Sequence, residues 1–139
     1  MVTGEVRVLE LFRFADPVQG VAVEVELSAP WKAGQERFLG ARLVLESGFV
    51  NGRLALALSS GDLDDWERCL DDLHAEKRAV WPRGGRTAWL EVVPEDPVEV
   101  VVHDMPSTQI AVRMPIDVAE DWLEENRARL DRVREAVGW

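Results

Sequence analysis

The stretch Val21–Ala29, which reads VAVEVELSA, decides the fold class of this 139-residue chain. Its apolar residues occupy every second position, at Val21, Val23, Val25 and Leu27. Glu24 and Glu26 fall between them, so one face of an extended segment is apolar and the other is charged. Such alternation is typical of an antiparallel strand that covers a core with one face and meets water with the other.

Comparable strands are predicted on both sides of this one. Glu5–Phe14 is rich in Val, Leu and Phe, and the turn residues Asp16–Gly20 join it to the first stretch. Downstream, Arg37–Glu46 carries its leucines on one face, and residues 53–58 place a leucine at every second position. Asn51–Gly52 indicates a turn or a bulge between these two segments. The first part of the chain is therefore predicted to form four strands.

A helix is predicted after these strands. It follows Ser60–Gly61, with Asp62 as its N-cap and Asp65 three positions later. Its apolar residues recur at helical spacing, at Leu63, Trp66, Leu70 and Leu73. This spacing predicts that the helix buries one face, and Gly84–Gly85 then indicates a turn.

The second half of the chain is predicted to form three strands and a closing helix. The predicted strands are Arg86–Val93, Val98–His103 and Thr108–Met114. Asp117 is the predicted N-cap of the last helix, with Glu120 at the capping-box position, and Gly138 stands where a C-cap belongs. The stripe that this helix is predicted to bury consists of Ala119, Trp122, Leu123, Asn126, Leu130, Val133 and Val137.

Taken in order, these elements predict an α+β fold. We expect a mainly antiparallel, meander-like sheet of about seven strands, because the connections are short. Both helices are expected to pack on one face of the sheet, one of them at the C-terminus. Residues 1–139 are expected to form a single domain, since this length is ordinary for one domain and the chain shows no linker or internal repeat.

The charge balance limits the classes of partner. The net charge is −10 at pH 7, and this excess of carboxylates opposes binding to nucleic acid and to anionic membranes. A basic protein is the partner class that such a charge would attract, although acidic charge also serves solubility alone. Cys69 is the only cysteine and residues 1–5 lack the features of a secretory signal, so a cytoplasmic location is expected.

Catalytic and metal-binding patterns are absent from the sequence. It has no glycine-rich phosphate loop, no nucleophile elbow and no paired cysteines, so no catalytic residue, metal or cofactor is predicted. His74 and His103 are the only histidines. Glu99 and His103 share a strand face but lie too far apart along it to bind one ion. A hydrolase that uses carboxylates alone, such as Glu91 and Glu99, stays open as an alternative.

The densest charge lies on the predicted first helix. The four aspartates on its wet side are Asp64, Asp65, Asp71 and Asp72. They are the candidate surface for docking a basic partner, and an ordinary solvated helix face is the alternative interpretation. The six tryptophans are interpreted mainly as packing residues, with exposed binding residues as the alternative.

The order of these features resembles a family of small uncharacterised proteins from high-GC filamentous bacteria, which carries a named domain of unknown function. The resemblance rests on Gly61–Glu67, Trp89–Glu91, Asp121–Glu125, Leu130 and Val133, and it extends from about Arg37 onward. The layout is also similar to that of small immunity proteins found beside polymorphic toxins, including the WapI-associated kind. The resemblance implies a β-rich sheet with two helices and a role in neutralising a toxin or binding another protein. It brings no assigned functional residue.

The sequence therefore predicts a non-catalytic protein-binding domain. Its sharpest version is an immunity-like or antitoxin-like protein that neutralises a basic partner. A structural or self-associating subunit, and a carboxylate-dependent hydrolase, are the alternatives. The sequence leaves open the partner's identity, the strand order and the oligomeric state.

Overall fold

The computed structural model describes residues 7–83 and 87–139, which form nine strands and two helices. The strands are β1 (Val8–Ala15), β2 (Gly20–Glu26), β3 (Trp31–Ala33), β4 (Glu36–Glu46), β5 (Asn51–Ser59), β6 (Ala79–Trp81), β7 (Trp89–Val93), β8 (Val98–His103) and β9 (Ala111–Ile116). The helices are α1 (Ser60–His74) and α2 (Trp122–Val137). The predicted strand starts at Glu5 and Arg86 and the predicted turn at Gly84–Gly85 lie outside the described residues.

The first sheet contains β1 to β5, all paired antiparallel. The long strand β4 is its centre: β5 pairs along one edge of β4, while β2 and the short β3 share the other edge. β1 pairs with β2 and contains an irregularity between Glu10 and Phe12. This irregularity places both Leu11 and Phe12 in the core, which explains why the alternation of this strand is imperfect in the sequence.

The second sheet is an antiparallel meander in the order β6-β7-β8-β9. Its inner face contributes Leu90 and Val92 from β7, Val100 and Val102 from β8 and Met114 from β9 to the core. Residues from both sheets and both helices belong to one buried cluster. α1 packs against β5, β6 and α2, and α2 packs against β1, so the helices lie side by side within this core.

The predicted α+β class, the antiparallel strands and the C-terminal helix are confirmed. The described residues form nine strands rather than about seven, and these strands divide between two sheets rather than forming one meander. The two additional strands, β3 and β6, have three residues each and are too short to show a period in the sequence. The division into two sheets follows from α1, because the chain leaves the first sheet at Ser59 and starts a new sheet after the helix.

Both predicted N-caps are displaced in the structure. α1 is capped by Ser59, whose hydroxyl oxygen accepts from the Asp62 N–H while the Asp62 carboxylate accepts from the Ser59 N–H. Asp62 is therefore the third residue of a capping box rather than the cap. α2 starts at Trp122 after Asp121, so the prediction of Asp117 as its cap is wrong. The Asp117 N–H instead donates to the side chain of Asp16.

Asp16 links the turn between β1 and β2 to the segment that precedes α2. Its carboxylate accepts from the N–H of Asp117 at 3.0 Å and from those of Val18 and Gln19 at 2.8 and 2.9 Å. These backbone donors, with Asp117 first, lower the pKa of Asp16 below its ordinary value. One carboxylate thus joins two segments that are a hundred residues apart in the sequence.

This link predicts a pH-dependent loss of stability. Because the pKa of Asp16 is lowered in the folded state, its contribution is present above the unfolded pKa near 3.8 and is lost as the pH falls through the folded pKa. Asp16→Asn should therefore reduce the free energy of unfolding at pH 7, by about 1 kcal/mol or less because the carboxylate is near solvent. Urea unfolding of both proteins at pH 7 and near pH 3 measures this. An equal difference at the two pH values would contradict it.

Candidate functional site

The acidic face of α1 is largely engaged by α2. The carboxylate of Asp64 accepts from Arg134 at 2.7 Å, and that of Asp71 accepts from Arg127 at 2.9 Å. Glu67 also pairs with Arg134. Desolvation lowers the pKa of the Arg134 guanidinium, but its contacts with Glu67 and Asp64 outweigh this effect and leave that pKa raised. Asp65 pairs within its own helix, with Arg68.

These ion pairs change the electrostatic character of the predicted docking surface. Asp64, Asp65 and Asp71 each have an arginine in contact, and among the described residues only Asp72 of the four has no ion pair. Exposed pairs of this kind contribute little to stability, typically about 0–1 kcal/mol each. Their main consequence is that positive charge from α2 already occupies the face that was predicted to attract a basic partner. The docking role of these four residues remains a prediction.

A groove at the N-terminal end of α2 has acidic side chains that form no ion pair within the described chain. Two adjoining clefts, of about 220 and about 290 Å³, share Glu95, Val98, Glu120 and Trp122 in their walls. The groove, called the Trp122 groove below, lies where the β7–β8 turn, the end of α1 and the start of α2 meet. Its apolar lining includes Trp122, Leu123, Leu73, Val98, Val118, Pro94 and Pro97.

Among the described residues, five carboxylates line the Trp122 groove, and neither a lysine nor an arginine does. They are Glu76, Glu95, Asp96, Asp117 and Glu120. Across residues 7–83 and 87–139 none of the five forms an ion pair, in contrast to the acids of α1. His74 also lines the walls. The groove is therefore a concave surface that combines an apolar floor with negative charge.

The floor of the groove is held by the protein core. The ring of Trp122 packs against that of Phe14, with the ring centroids 5.7 Å apart, and Phe14 is fully buried. Trp122 itself is only partly buried, so part of the indole faces the groove. An indole fixed in this way is a suitable surface for a cation, because the face of the ring carries negative charge density.

A further cleft lies in the first sheet and has mixed charge. It has a volume of about 310 Å³ and is formed by the β1–β2 turn together with Glu46, Ser47 and Asn51. Arg13 lines it beside Asp16 and Glu46, and the Arg13 guanidinium already pairs with Glu10. Since one cationic and two anionic side chains line it, the walls of this cleft do not carry charge of a single sign.

The family model described as "Family of unknown function (DUF5959)" matches residues 9–138. The chain belongs to this family. The match includes the whole of the Trp122 groove and both helices. It confirms the expectation of an uncharacterised domain family and adds no biochemical activity.

One solved structure has a similar fold. It is titled "Structure of the plant transcriptional regulator PBF-2", and it matches with a TM-score of 0.54 and 12% sequence identity. The match covers 99% of this DUF5959 chain and 86% of the other chain. At this identity the likeness concerns the fold alone. No curated protein matches the chain.

The outer face of the second sheet carries a cluster that sequence reasoning missed. The rings of Trp89 and His103 stack in parallel with centroids 3.8 Å apart, because the register of β7 and β8 sets these two residues opposite each other. Glu91 lies 3.5 Å from Nε2 of His103 and also pairs with Arg78. The signal was present in the sequence: pairing the two predicted strands as a hairpin places Trp89 beside His103.

The carboxylates of the hydrolase alternative lie on this same face. Glu91 contacts Arg78 and His103, and Glu99 pairs with Arg113 at 3.2 Å. Each of these acids thus faces an arginine rather than a second carboxylate, which is a poor arrangement for acid–base work by paired acids. In the part of the chain that the structure describes, no group of three or more His, Cys, Asp or Glu residues is arranged to hold a metal ion.

Cys69 of α1 is a core residue. Its side chain is buried, and this burial raises the pKa of the thiol to about 12. A thiol with so high a pKa is a poor nucleophile at neutral pH, since the thiolate is the reactive form. Over the described residues, the helices are too short or too polar to cross a membrane.

Proposed function

We propose that this DUF5959 protein is a non-catalytic binding protein for a basic protein partner, and that the partner docks in the Trp122 groove. The observation that carries the proposal is the groove's composition. An indole fixed against the core forms the floor, and five carboxylates without an ion pair in the described chain form the walls.

The physical basis is complementarity of charge and of apolar surface. Unpaired acids attract a cationic partner over long range and increase the rate of encounter. An arginine of the partner could then lie on Trp122, where the aliphatic stem covers apolar surface and the guanidinium meets Glu95 or Glu120. Tryptophan and arginine are the residue types that most often dominate binding energy at interfaces.

The acidic face of α1 is assigned a smaller role. A partner arginine would compete there with Arg127 and Arg134, which already hold Asp71 and Asp64. Nucleic acid stays outside the proposal, because a net charge of −10 opposes contact with phosphates. The likeness to the plant transcriptional regulator is one of fold and does not alter this charge balance.

The immunity-like role is the sharpest form of the proposal. In that form the basic partner is a toxin, and occupation of the groove blocks it. The resemblance of the sequence layout to that of small immunity proteins supports this form. It requires that the retained partner is toxic when expressed alone and harmless when expressed together with this chain.

The test compares three variants with the natural protein. Basic proteins retained from a lysate of the native host at low salt are identified and purified, and their affinities are then measured. The groove variant carries Glu95→Gln, Asp117→Asn and Glu120→Gln. The helix variant carries Asp64→Asn, Asp65→Asn, Asp71→Asn and Asp72→Asn. The matched control neutralises three exposed acids that have no ion pair in the described chain, with Glu36→Gln, Glu46→Gln and Glu135→Gln.

We expect the groove variant to weaken binding by at least about tenfold and the matched control by less than about threefold. The groove variant and the matched control have the same net charge, so the difference between their affinities reports the location of the site. Equal effects of groove variant and control would contradict the groove assignment. If no basic protein is retained, the proposed partner class is wrong. If the helix variant alone abolishes binding, the proposed surface is wrong.

A further inference from the structure

All but one of the edge strands described in the two sheets have a feature that hinders pairing with a strand of another chain. At β1, the side chain of Asn126 bonds to both the N–H and the C=O of Arg13, so α2 covers this edge. At β9, Pro115 lacks a backbone N–H, and its carbonyl accepts from the side chain of Gln19. β3 and β6 are only three residues long. Short strands, prolines and covering elements are the means by which proteins prevent pairing at sheet edges.

The strand β5 is neither short nor interrupted by a proline, and among the described residues no side chain bonds to the backbone of residues 51–58 in the way that Asn126 bonds to β1. It pairs with β4 over nine consecutive positions, from Asn51 to Ser59, without a bulge. It contains no proline and no lysine, and Arg53 is its only charged residue. In the described chain, its only hydrogen bonds beyond the ladder with β4 are those of Ser59 at the helix cap. A long, regular and mostly apolar edge with unpaired backbone groups is a template for another strand.

We propose that β5 pairs antiparallel with β5 of a second copy of this chain, so that the two first sheets form one continuous sheet across a dimer. The occupant is a second copy because the sequence of β5 is self-complementary. A two-fold axis at Leu56 sets Leu54 opposite Leu58 of the other copy, Ala55 opposite Ala57, and Arg53 opposite Ser59.

This arrangement avoids the usual obstacles to pairing like strands. Ala55 and Ala57 are exposed on the outer face, and their small side chains allow the close approach of two strands. Arg53 meets an uncharged serine rather than its own copy, so no like charges oppose each other, which would destabilise a sheet. The leucines of β5 continue the apolar inner face from the first sheet of one copy to that of the other. The partly buried Leu54 becomes more buried against Leu58 of the second copy.

An exposed aromatic residue lies at the end of the same strand. Phe49, in the turn between β4 and β5, is 94% exposed, the largest value among the exposed large apolar residues of the described chain. In the antiparallel arrangement each Phe49 lies near the start of α1 of the other copy. Its exposure in one copy and its position beside the paired segment fit an apolar contact at each end of the interface.

The test is sedimentation velocity of the full chain from about 1 µM to about 1 mM. Two double variants place opposite charges at the facing alanines: Ala55→Lys with Ala57→Lys, and Ala55→Glu with Ala57→Glu. Ala111→Lys, at an exposed position on β9, is the matched control. Far-ultraviolet circular dichroism verifies that each variant is folded, which is expected because all three alanines are exposed.

We expect the natural chain and the control to dimerise within this range. Each double variant alone should dimerise at least about tenfold more weakly, because like charges face each other across the axis. An equimolar mixture of the two double variants should restore the dimer, since lysines then face glutamates. A natural chain that remains monomeric throughout, or a dimer that neither double variant weakens, would overturn the proposal.

Discussion

Replacing Trp66 with alanine is expected to lower the free energy of unfolding by about 3–5 kcal/mol. Trp66 lies on α1 and is fully buried. Its ring stacks on that of Phe12 from the first sheet at 4.1 Å and meets that of Trp81 from the second sheet at 5.6 Å. Because alanine is the best helix former, the substitution leaves α1 intact and its effect reports the cavity between the two sheets.

Equilibrium unfolding in urea measures this loss, and Trp31→Ala is the matched control. Trp31 is 45% exposed and stacks on Phe38 at the rim of the first sheet, so its removal should lower the free energy of unfolding by about 1 kcal/mol or less. In the described chain the indole N–H of Trp66 has no hydrogen-bond partner, which slightly reduces the expected cost of removing it. Similar losses for the two variants would show that the aromatic cluster does not hold the sheets together.

Asn126→Ala should be the most destabilising polar substitution, with an expected loss of about 2–4 kcal/mol. The Asn126 side chain is fully buried. Its Oδ1 accepts from the Arg13 N–H at 2.8 Å and its Nδ2 donates to the Arg13 carbonyl at 3.2 Å. The amide thus replaces a neighbouring strand at the edge of β1. Alanine would leave a donor and an acceptor of the backbone without partners in a site closed by α2.

Two measurements separate this explanation from a general weakening of the helix. Urea unfolding gives the total loss, and Asp131→Ala, at an exposed position of the same helix, should change it by about 0.5 kcal/mol or less. Hydrogen exchange at the Arg13 amide should also become faster relative to amides of β4. Unchanged protection of the Arg13 amide in the Asn126→Ala protein would refute the proposed bond.

The same helix shows how packing alters the meaning of a charge pattern. The arginines near the end of α2 complement its own dipole. In the structure Arg127 and Arg134 also reach α1 and bind Asp71, Asp64 and Glu67. An acidic stripe that looks free in the sequence is therefore largely paired, while acids dispersed over three segments converge around Trp122.

Local periodicity determined most of the secondary structure correctly. Val98–His103 begins and ends where it was predicted, and Leu130 and Val133 are buried as the helical stripe required. Two of the errors lie at helix starts, where several acidic or hydroxyl residues compete for the cap. Ser59 rather than Asp62 caps α1 because the helix begins directly where β5 ends. The end of β5 is set by its pairing with β4, which the local sequence does not show.

The sequence by itself determined the α+β class, the apolar faces of the long strands and helices, and the acidic balance of the chain. These features depend on residue type and on spacing within one element, which are local properties. Tertiary structure alone decided the division into two sheets, the neutralisation of the α1 face and the position of the Trp122 groove. Each of these depends on contacts between segments far apart in the chain, such as Asn126 with Arg13, and local spacing contains no information about which distant segments meet.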